Sequence, residues 1–168
     1  LALPAGAQDA SGPMAVPATL VADEVFVEDE TRLVARGNVE AFHDGLRMTA
    51  GAIVYDRSTD RLAVEGPIRI VDADGNVLTA ARADLDQAFR NGLLAGARLV
   101  LDQQLQLASV EAQRIEGRYT QLSRVAVTSC QVCGPDGVPL WQIRASRVVH
   151  DTEARQLYFD DAQFRVLD

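Results

Sequence analysis

The sequence predicts an all-β protein, an antiparallel meander of about ten strands. Three observations support this fold class. Short runs rich in Val and Ile carry polar residues at alternate positions, as in Arg47–Asp56 and Arg61–Ile70. Turn-forming residues separate these runs, and a small-residue motif recurs along the chain.

The repeat is centred on an alanine in the first arm of each hairpin. Successive steps are 28, 30, 28 and 37 residues, between Ala22, Ala50, Ala80, Ala108 and Ala145. The return arms carry glycines at related places, namely Gly37, Gly66 and, more loosely, Gly96. A period of about 30 residues is typical of stacked units, none of which buries its apolar face alone.

Alternation and turn signals together place the strands in order. They lie near Thr19–Glu28, Arg32–Phe42, Leu46–Asp56, Arg61–Val71, Val77–Asp86, Leu93–Leu101, Leu105–Ile115, Tyr119–Ser129, Leu140–His150 and Gln156–Val166. Asp-Gly or Asn-Gly pairs mark the turns at Gly45, Gly75, Gly92 and Gly137. Leu85 to Arg90 also fits one helical turn, but the step from Ala80 to Ala108 preserves the strand period.

Alternate residues of each arm share one face, which forms an apolar strip across the strands. Beyond Ala50 the alternation breaks, because Ile53 lies three positions on and requires a bulge or a change of face. Two interpretations of the strip remain open. It is either the packed core of a β-sandwich or β-solenoid, or an apolar trough for a ligand, to which the small central residues would give room.

The chain of 168 residues is long enough for one domain with a substantial core. Residues 1 to 18 are expected to be a signal-peptide remnant, a disordered tail or both, since Ala5 and Ala7 occupy A-x-A positions in an Ala- and Pro-rich start. Residues 19 to 168 form the predicted β domain. No apolar run reaches the ~20 residues of a membrane helix.

The charge balance bears on the class of ligand. The formal net charge is −8, and every basic residue except the two histidines is Arg. An acidic chain lacks the basic face that nucleic acids require, so we expect no nucleic-acid partner. The charge does not exclude a lipid bound through its acyl chains.

The sequence contains no strong catalytic or metal-binding signal. Phosphate-loop, zinc-protease and nucleophile-elbow motifs are missing, and His43 and His150 are expected to be surface or cap residues rather than bases. Asp and Glu at strand ends are expected to form a solvated rim. We therefore expect no enzyme, no cofactor and no metal.

Cys130 and Cys133 lie in a polar segment that ends at Trp141. Gly134 and Pro135 follow directly and disfavour the helix that a redox pair would use, while zinc would need more ligands nearby. A structural disulfide is the better hypothesis, either within the pair or with cysteines outside this sequence.

Two groups of residues resemble a known family. Arms such as Val21-Ala-Asp23 paired with Arg36-Gly-Asn-Val39 resemble the OstA-type periplasmic domains of the lipopolysaccharide export machinery. The run with Thr128-Ser-Cys130, Leu140-Trp-Gln-Ile-Arg-Ala145 and Leu157-Tyr-Phe-Asp-Asp-Ala162 is similar to the end of the N-terminal domain in the LptD family of outer-membrane assembly proteins. Together they cover about 150 residues of the sequence, at the ~30-residue period typical of repeats.

The resemblance implies an antiparallel V-shaped β-jellyroll that conducts lipopolysaccharide from the periplasm to an outer-membrane β-barrel, which would follow Asp168. Partners would be a periplasmic bridge protein of the same jellyroll fold, docked end to end by strand addition, and the lipoprotein that plugs the barrel. Alternatives are the freestanding bridge protein itself and a structural or carbohydrate-binding β-solenoid. The implied lipid-groove lining is Leu20, Ala22, Val39, Met48, Ala50, Ile68, Ile70, Leu78, Ala80, Ile143 and Ala145.

The resemblance also bears on the cysteines. Cys130 matches the cysteine of the family domain that pairs with cysteines of the barrel, whereas Cys133 departs from the commonest family pattern. The family's cysteine near the mature N-terminus is missing, because no Cys precedes Cys130. The partner of each thiol therefore stays open.

Overall fold

The computed structural model describes residues 19–102, 104–129 and 139–166. These residues form 14 strands of one antiparallel sheet and no helix, so none of them makes a helix that could cross a membrane. In chain order the strands are Thr19–Val21 (β1), Glu24–Val27 (β2), Arg32–His43 (β3), Leu46–Asp56 (β4), Arg61–Val71 (β5), Val77–Asp86 (β6), Gly92–Ala95 (β7), Arg98–Leu101 (β8), Leu105–Ala108 (β9), Glu111–Ile115 (β10), Tyr119–Thr128 (β11), Trp141–Asp151 (β12), Gln156–Asp160 (β13) and Gln163–Val166 (β14).

Ten long strands underlie these 14 elements. Only two residues separate β1 from β2, β7 from β8, β9 from β10 and β13 from β14, so each pair forms the two halves of one long strand. The predicted all-β antiparallel class is confirmed, and each end of a predicted strand agrees within one residue. Four strands predicted as continuous are broken in two. The ambiguous stretch after Asp86 is a turn, because the Asp86 carboxylate accepts hydrogen bonds from Arg90 N and Asn91 Nδ2.

Every long strand is interrupted near its middle along one line, which we call the crease. In β4 and β5 the regular pairing stops between Thr49 and Ala52 and between Glu65 and Ile68. The four composite strands break on the same line, and β11 crosses it at Arg124, whose φ is 53°. The crease therefore divides the sheet into two halves.

We name these halves by the segments they contain. Half A contains β1, β8, β9 and β14 with residues 39–43, 46–50, 68–71, 77–80, 125–128 and 141–145. Half B contains β2, β7, β10 and β13 with residues 32–36, 52–56, 61–65, 82–86, 119–123 and 147–151. Buried side chains of both halves form one apolar core, so the sheet is folded along the crease, as the predicted V-shaped jellyroll requires.

In the six continuous long strands, the number of residues at the crease decides which side chains face inward. In β4 a single residue, Gly51, separates Ala50 from Ala52, the paired residues on the two sides, and this odd insertion reverses the inward parity. Ile53 is consequently inward, in agreement with the bulge or change of face that the sequence requires. In β5 two residues, Gly66 and Pro67, lie between Glu65 and Ile68, so the parity is kept.

Each half presents one apolar row of cross-strand neighbours that runs from edge to edge. We call these rows ladder A and ladder B. Ladder A is Leu20, Ala41, Met48, Ile70, Leu78, Leu99, Leu107, Val127, Ile143 and Phe164. Ladder B is Val25, Ala35, Ile53, Val64, Ala83, Leu94, Ala112, Leu122, Val148 and Phe159. The burial of these two rows against each other stabilises the fold.

A substitution at Gly66 tests whether neighbouring strands must approach closely at the crease. A Cβ atom on Gly66 would collide with the carbonyl oxygen of Ala81 and lie 3.2 Å from that of Ala80. Because both contacts are to backbone of the neighbouring strand, we expect Gly66→Ala to lower the free energy of unfolding by about 3 kcal/mol. Urea denaturation at neutral pH measures this loss.

Gly75 provides the matched control. A Cβ there meets no atom within 4 Å, although its φ of 83° makes any side chain strained. We expect Gly75→Ala to cost about 1 kcal/mol through that strain alone. Equal losses for the two variants would contradict a steric requirement at the crease.

Candidate functional site

The structure brings together all eleven residues predicted to line a groove. Eight are buried, namely Val39, Met48, Ala50, Ile68, Ile70, Leu78, Ala80 and Ala145. The other three, Leu20, Ala22 and Ile143, are partly buried against the same core. All eleven lie in half A or beside the crease. Their contact with lipid stays a prediction.

Sequence reasoning missed the facing wall. None of the members of ladder B was among the predicted lining residues, although Ile53, Leu94 and Leu122 are nearly or fully buried. The sequence does contain a signal for ladder B, namely the alternation of apolar and polar residues within half B of each strand. It was hidden because the parity reverses at the crease in most strands, so one alternation does not describe a whole strand.

The interior is filled by side chains in its middle and is exposed at its two edges. Met48, Leu107 and Leu122 are 0% exposed. At the edges, Val25 of ladder B is 51% exposed and Phe164 of ladder A is 65% exposed. Two apolar faces in water close on each other. The trough considered from the sequence is therefore occupied by the packed ladders rather than standing open.

The two halves diverge on the side opposite the crease, where their hairpin turns face each other; we call this side the mouth. A cavity of about 280 Å³ lies there between turns of half A, which contribute His43 and Asn76, and turns of half B, which contribute Arg90 and Thr152. A second cavity of about 490 Å³ adjoins it and shares Asn76 and His150. The floor of the first cavity is apolar and includes Leu46, Ile70, Leu78 and Leu99.

A second row of cross-strand neighbours crosses half B at the mouth, two residues outward from ladder B along each strand; we call it the mouth-side row. Its cross-strand neighbours begin as Val27, Leu33, Tyr55, Leu62 and Leu85 and continue as Gly92, Arg114, Thr120, His150 and Leu157. The three polar members lie side by side on β10, β11 and β12. Thr120 is 5% exposed and His150 is 7% exposed, and all three line the first cavity. We call them the polar triplet.

Arg114 is a cation held in place without a carboxylate partner among the described residues. Its Nε donates a hydrogen bond to the carbonyl oxygen of Phe89 at 2.8 Å. Burial lowers the pKa of Arg114, and the more distant carboxylates of Asp72 and Asp86 oppose that effect only in part. The guanidinium therefore keeps hydrogen-bonding capacity that no ion pair uses within this part of the structure.

Phe89 and His43 close the mouth from opposite halves. Phe89 is 2% exposed, adopts a φ of 57° in the turn after β6 and packs in the common core. The ring of His43, the last residue of β3, meets it edge to face with 6.2 Å between ring centroids. His43 Nδ1 is buried and has no hydrogen-bond partner among the described residues. The mouth thus contains a second group whose hydrogen bonding is incomplete.

The turn after β12 is fixed by ionic contacts. Arg118 donates to both carboxylate oxygens of Asp151, from Nε at 3.0 Å and from Nη2 at 2.7 Å, and its Nη1 lies 2.8 Å from Glu153. These hydrogen bonds lower the pKa of Asp151, chiefly through Arg118. Thr152 N and Oγ1 both donate to Arg118 O. This network holds the end of β12, and with it His150.

Two expectations about polar residues are wrong. His150 was expected to be a surface or cap residue, but it is buried because it follows Val148 by two positions and shares its inward face. Asp151 was expected in a solvated rim, but it is 4% exposed because Arg118 replaces its hydration. His43 does lie at a turn as expected, with its ring half-buried.

The remaining predictions concern the cysteines, the N-terminal residues and metal binding. Cys130, Cys133 and residues 1 to 18 lie outside the described residues. Within the described ranges, no group of three or more His, Cys, Asp or Glu side chains is arranged to hold a metal ion.

The burial of His150 predicts a pH dependence of stability. Burial lowers its pKa, against the partial opposition of Asp72, Asp151 and Asp102. Below its ordinary pKa of about 6.5 the unfolded chain binds a proton that the folded chain does not, so stability falls as the pH falls from neutral. We expect the free energy of unfolding to drop less between pH 7.5 and 5.5, measured with urea, in His150→Gln than in the original chain. Equal drops would contradict the buried neutral imidazole.

Similarity to known proteins is found among solved structures. No protein-family model matches the chain, and no curated protein matches it. Among solved structures, the chain is similar to LptH of Pseudomonas aeruginosa, described as the LptA-homologous periplasmic component of a lipopolysaccharide transport device. The match covers 91% of this chain and 96% of that one at 12% identity, with a TM-score of 0.34. A TM-score this low supports no argument about this chain, so the assignment of the fold depends on the strand pairing described above.

Proposed function

We propose that this chain is a periplasmic module of lipopolysaccharide transport, in which acyl chains pass between ladders A and B while the charged headgroup stays in water. One observation carries the proposal. Every member of both ladders is apolar, and both ladders reach the two edges of the sheet, where Val25 and Phe164 remain exposed. A domain whose core served only for stability would be expected to end in polar side chains at its edges.

The energetics suit transport along the ladders. Each buried methylene contributes about 0.8 kcal/mol, so a lipid with several chains is held firmly overall. Ten strands at a spacing of ~4.8 Å give a path of about 45 Å across the sheet. Acyl chains would exchange ladder-to-ladder contacts for ladder-to-lipid contacts of the same apolar kind. Movement along the path therefore requires little net change in free energy, and the role needs no catalytic group.

The two edges suit end-to-end docking to proteins of the same fold. Among the described residues, β1 and β2 pair only with β3, and β13 and β14 pair only with β12. Val27 is 69% exposed on one edge and Val166 is 67% exposed on the other. Unpaired strands with apolar side chains are suited to strand addition, which would join the ladders of neighbouring modules.

Two forms of this function remain to be distinguished. The chain is either a freestanding bridge protein or the domain that precedes an outer-membrane barrel with a lipoprotein plug. The bridge fits at least as well, because a bridge docks through both edges and both edges are similarly exposed here. A reading frame that continues for several hundred residues beyond Asp168 would favour the barrel protein.

Site-specific photo-crosslinking tests the lipid path. We expect a photoreactive residue at Met48 or Ile68 to capture lipopolysaccharide in cells, because both side chains face the interior. A probe at Thr49 or Arg69, which take the opposite parity on the same strands, is the matched control and should capture little. Equal capture at both parities, measured by immunoblot against lipopolysaccharide, would rule out an interior path.

Charge placed on an edge tests docking. We expect Val27→Arg to prevent concentration-dependent assembly of the purified chain, because a desolvated guanidinium would oppose strand addition. Val110→Arg is the control, since Val110 is 52% exposed but lies between β9 and β10, away from both edges. Size-exclusion chromatography with light scattering measures the assembly. Assembly by Val27→Arg to the same extent as by Val110→Arg would contradict docking through this edge.

A further inference from the structure

The mouth contains polar side chains that neither the fold nor the lipid path explains. The first five residues of the mouth-side row are apolar or aromatic. Further along the same row, the polar triplet lies on three adjacent strands. Cross-strand neighbours have Cβ atoms about 5 Å apart, so Arg114, Thr120 and His150 converge on one part of the cavity. Rigid strands, not loops, hold all three.

The hydrogen-bonding capacity of these groups is largely unused. Within the described residues, Arg114 donates one hydrogen bond, from Nε to the carbonyl oxygen of Phe89. The Thr120 hydroxyl and the His150 ring form no side-chain hydrogen bond with any of these residues. On the facing half, His43 Nδ1 is buried and receives no hydrogen bond from the part of the chain that the structure describes. The three side chains of the polar triplet can therefore act as donors toward a common ligand, and His43 lines the same cavity.

The carboxylates near the cavity do not take this role. Asp72 Oδ1 accepts hydrogen bonds from the backbone N–H groups of Asp74 and Asn76, and its Oδ2 accepts one from Asn76 Nδ2. Asp74 pairs with Arg155, and Glu153 pairs with Arg118. The other two acidic residues of the lining, Asp44 and Glu116, are exposed at the rim.

We propose that the polar triplet, with His43 opposite, is a binding site for the phosphoryl group of a phosphate monoester. Arg114 would supply a fork of Nη donors, which matches phosphate oxygens, and Thr120 and His150 would donate to the remaining oxygens. A phosphate monoester presents three acceptor oxygens in a tetrahedral arrangement, whereas a carboxylate presents two in one plane, so the phosphoryl group better suits donors that converge from three strands. The cavity of about 280 Å³ leaves room for the group that carries the phosphate.

The phosphoryl group has two possible sources, which share this chemistry. One is free phosphate or a soluble phosphate ester. The other is the headgroup of a phosphorylated amphiphile, whose alkyl part would lie on the apolar floor formed by Leu46, Ile70 and Leu78. The lipid source rests on the proposed function, whereas the phosphoryl site itself does not.

Isothermal titration of the purified chain distinguishes these cases. Three probes are titrated below their micellar concentrations where these apply: dodecyl phosphate, dodecyl maltoside as a neutral amphiphile with the same alkyl chain, and inorganic phosphate. Arg114→Gln removes the charged donor, and Thr120→Val removes the hydroxyl at nearly constant shape without disturbing the Arg114 contact to Phe89. Arg82→Gln is the control, because Arg82 is exposed and lies outside the cavity lining.

For the original chain we expect dodecyl phosphate to bind more tightly than dodecyl maltoside. Arg114→Gln should weaken dodecyl phosphate binding by about tenfold or more, Thr120→Val by about fivefold, and Arg82→Gln by less than about twofold. Urea unfolding of each variant confirms that the chain is folded. If Arg114→Gln does not fold, Thr120→Val alone decides the outcome.

The possible results separate this site from the lipid path. Binding of inorganic phosphate that the two variants weaken, without binding of either dodecyl compound, supports the phosphoryl site and contradicts the lipid path. Equal binding of both dodecyl compounds, unchanged in Arg114→Gln and Thr120→Val, overturns the phosphoryl site and leaves the lipid path intact. A failure of all three probes to bind overturns both proposals.

Discussion

The packing of ladder A on ladder B is the interaction on which the rest of the structure depends. It exists because every long strand is interrupted at the crease, where the sheet folds over, and in most strands the inward parity also reverses there. At Gly51, for example, a Cβ would lie 2.8 Å from Gly66 O. The tight approach of backbones at the crease thus creates two apolar faces from one sheet, and hydrophobic burial holds those faces together.

A folded sheet of this kind differs from a barrel because its ends stay unpaired. Closure would cover the last strands, whereas here ladder A ends at Phe164 and ladder B begins at Val25, both exposed. Exposed edges of this type are usually protected by charge or bulges, since they invite association. Their apolar character at both ends suits the proposed docking, in which partners would extend the ladders by strand addition.

The sequence predicts the strands well and the site less completely, for one physical reason. Strand positions depend on local alternation and turn residues, so the ends of Leu46–Asp56 and Arg61–Val71 agree with the structure. The inward face depends on pairing with neighbours at the crease, which no local pattern records. The predicted lining is accordingly confined to half A and the crease, and His150 was expected to be a surface or cap residue although its spacing from Val148 puts it inside.

The polar triplet is the part of the molecule that folding alone does not account for. Desolvating a guanidinium costs free energy unless an anion or a full set of hydrogen bonds replaces water. Arg114 receives one hydrogen-bond acceptor, Phe89 O, and no ion pair within the described residues. An apolar residue there would continue the row that begins at Val27 and would pack against Leu46 and Ile70 at no such cost. An anion bound in the mouth, as proposed above, would therefore stabilise the folded chain, because it would offset the desolvation of the Arg114 guanidinium.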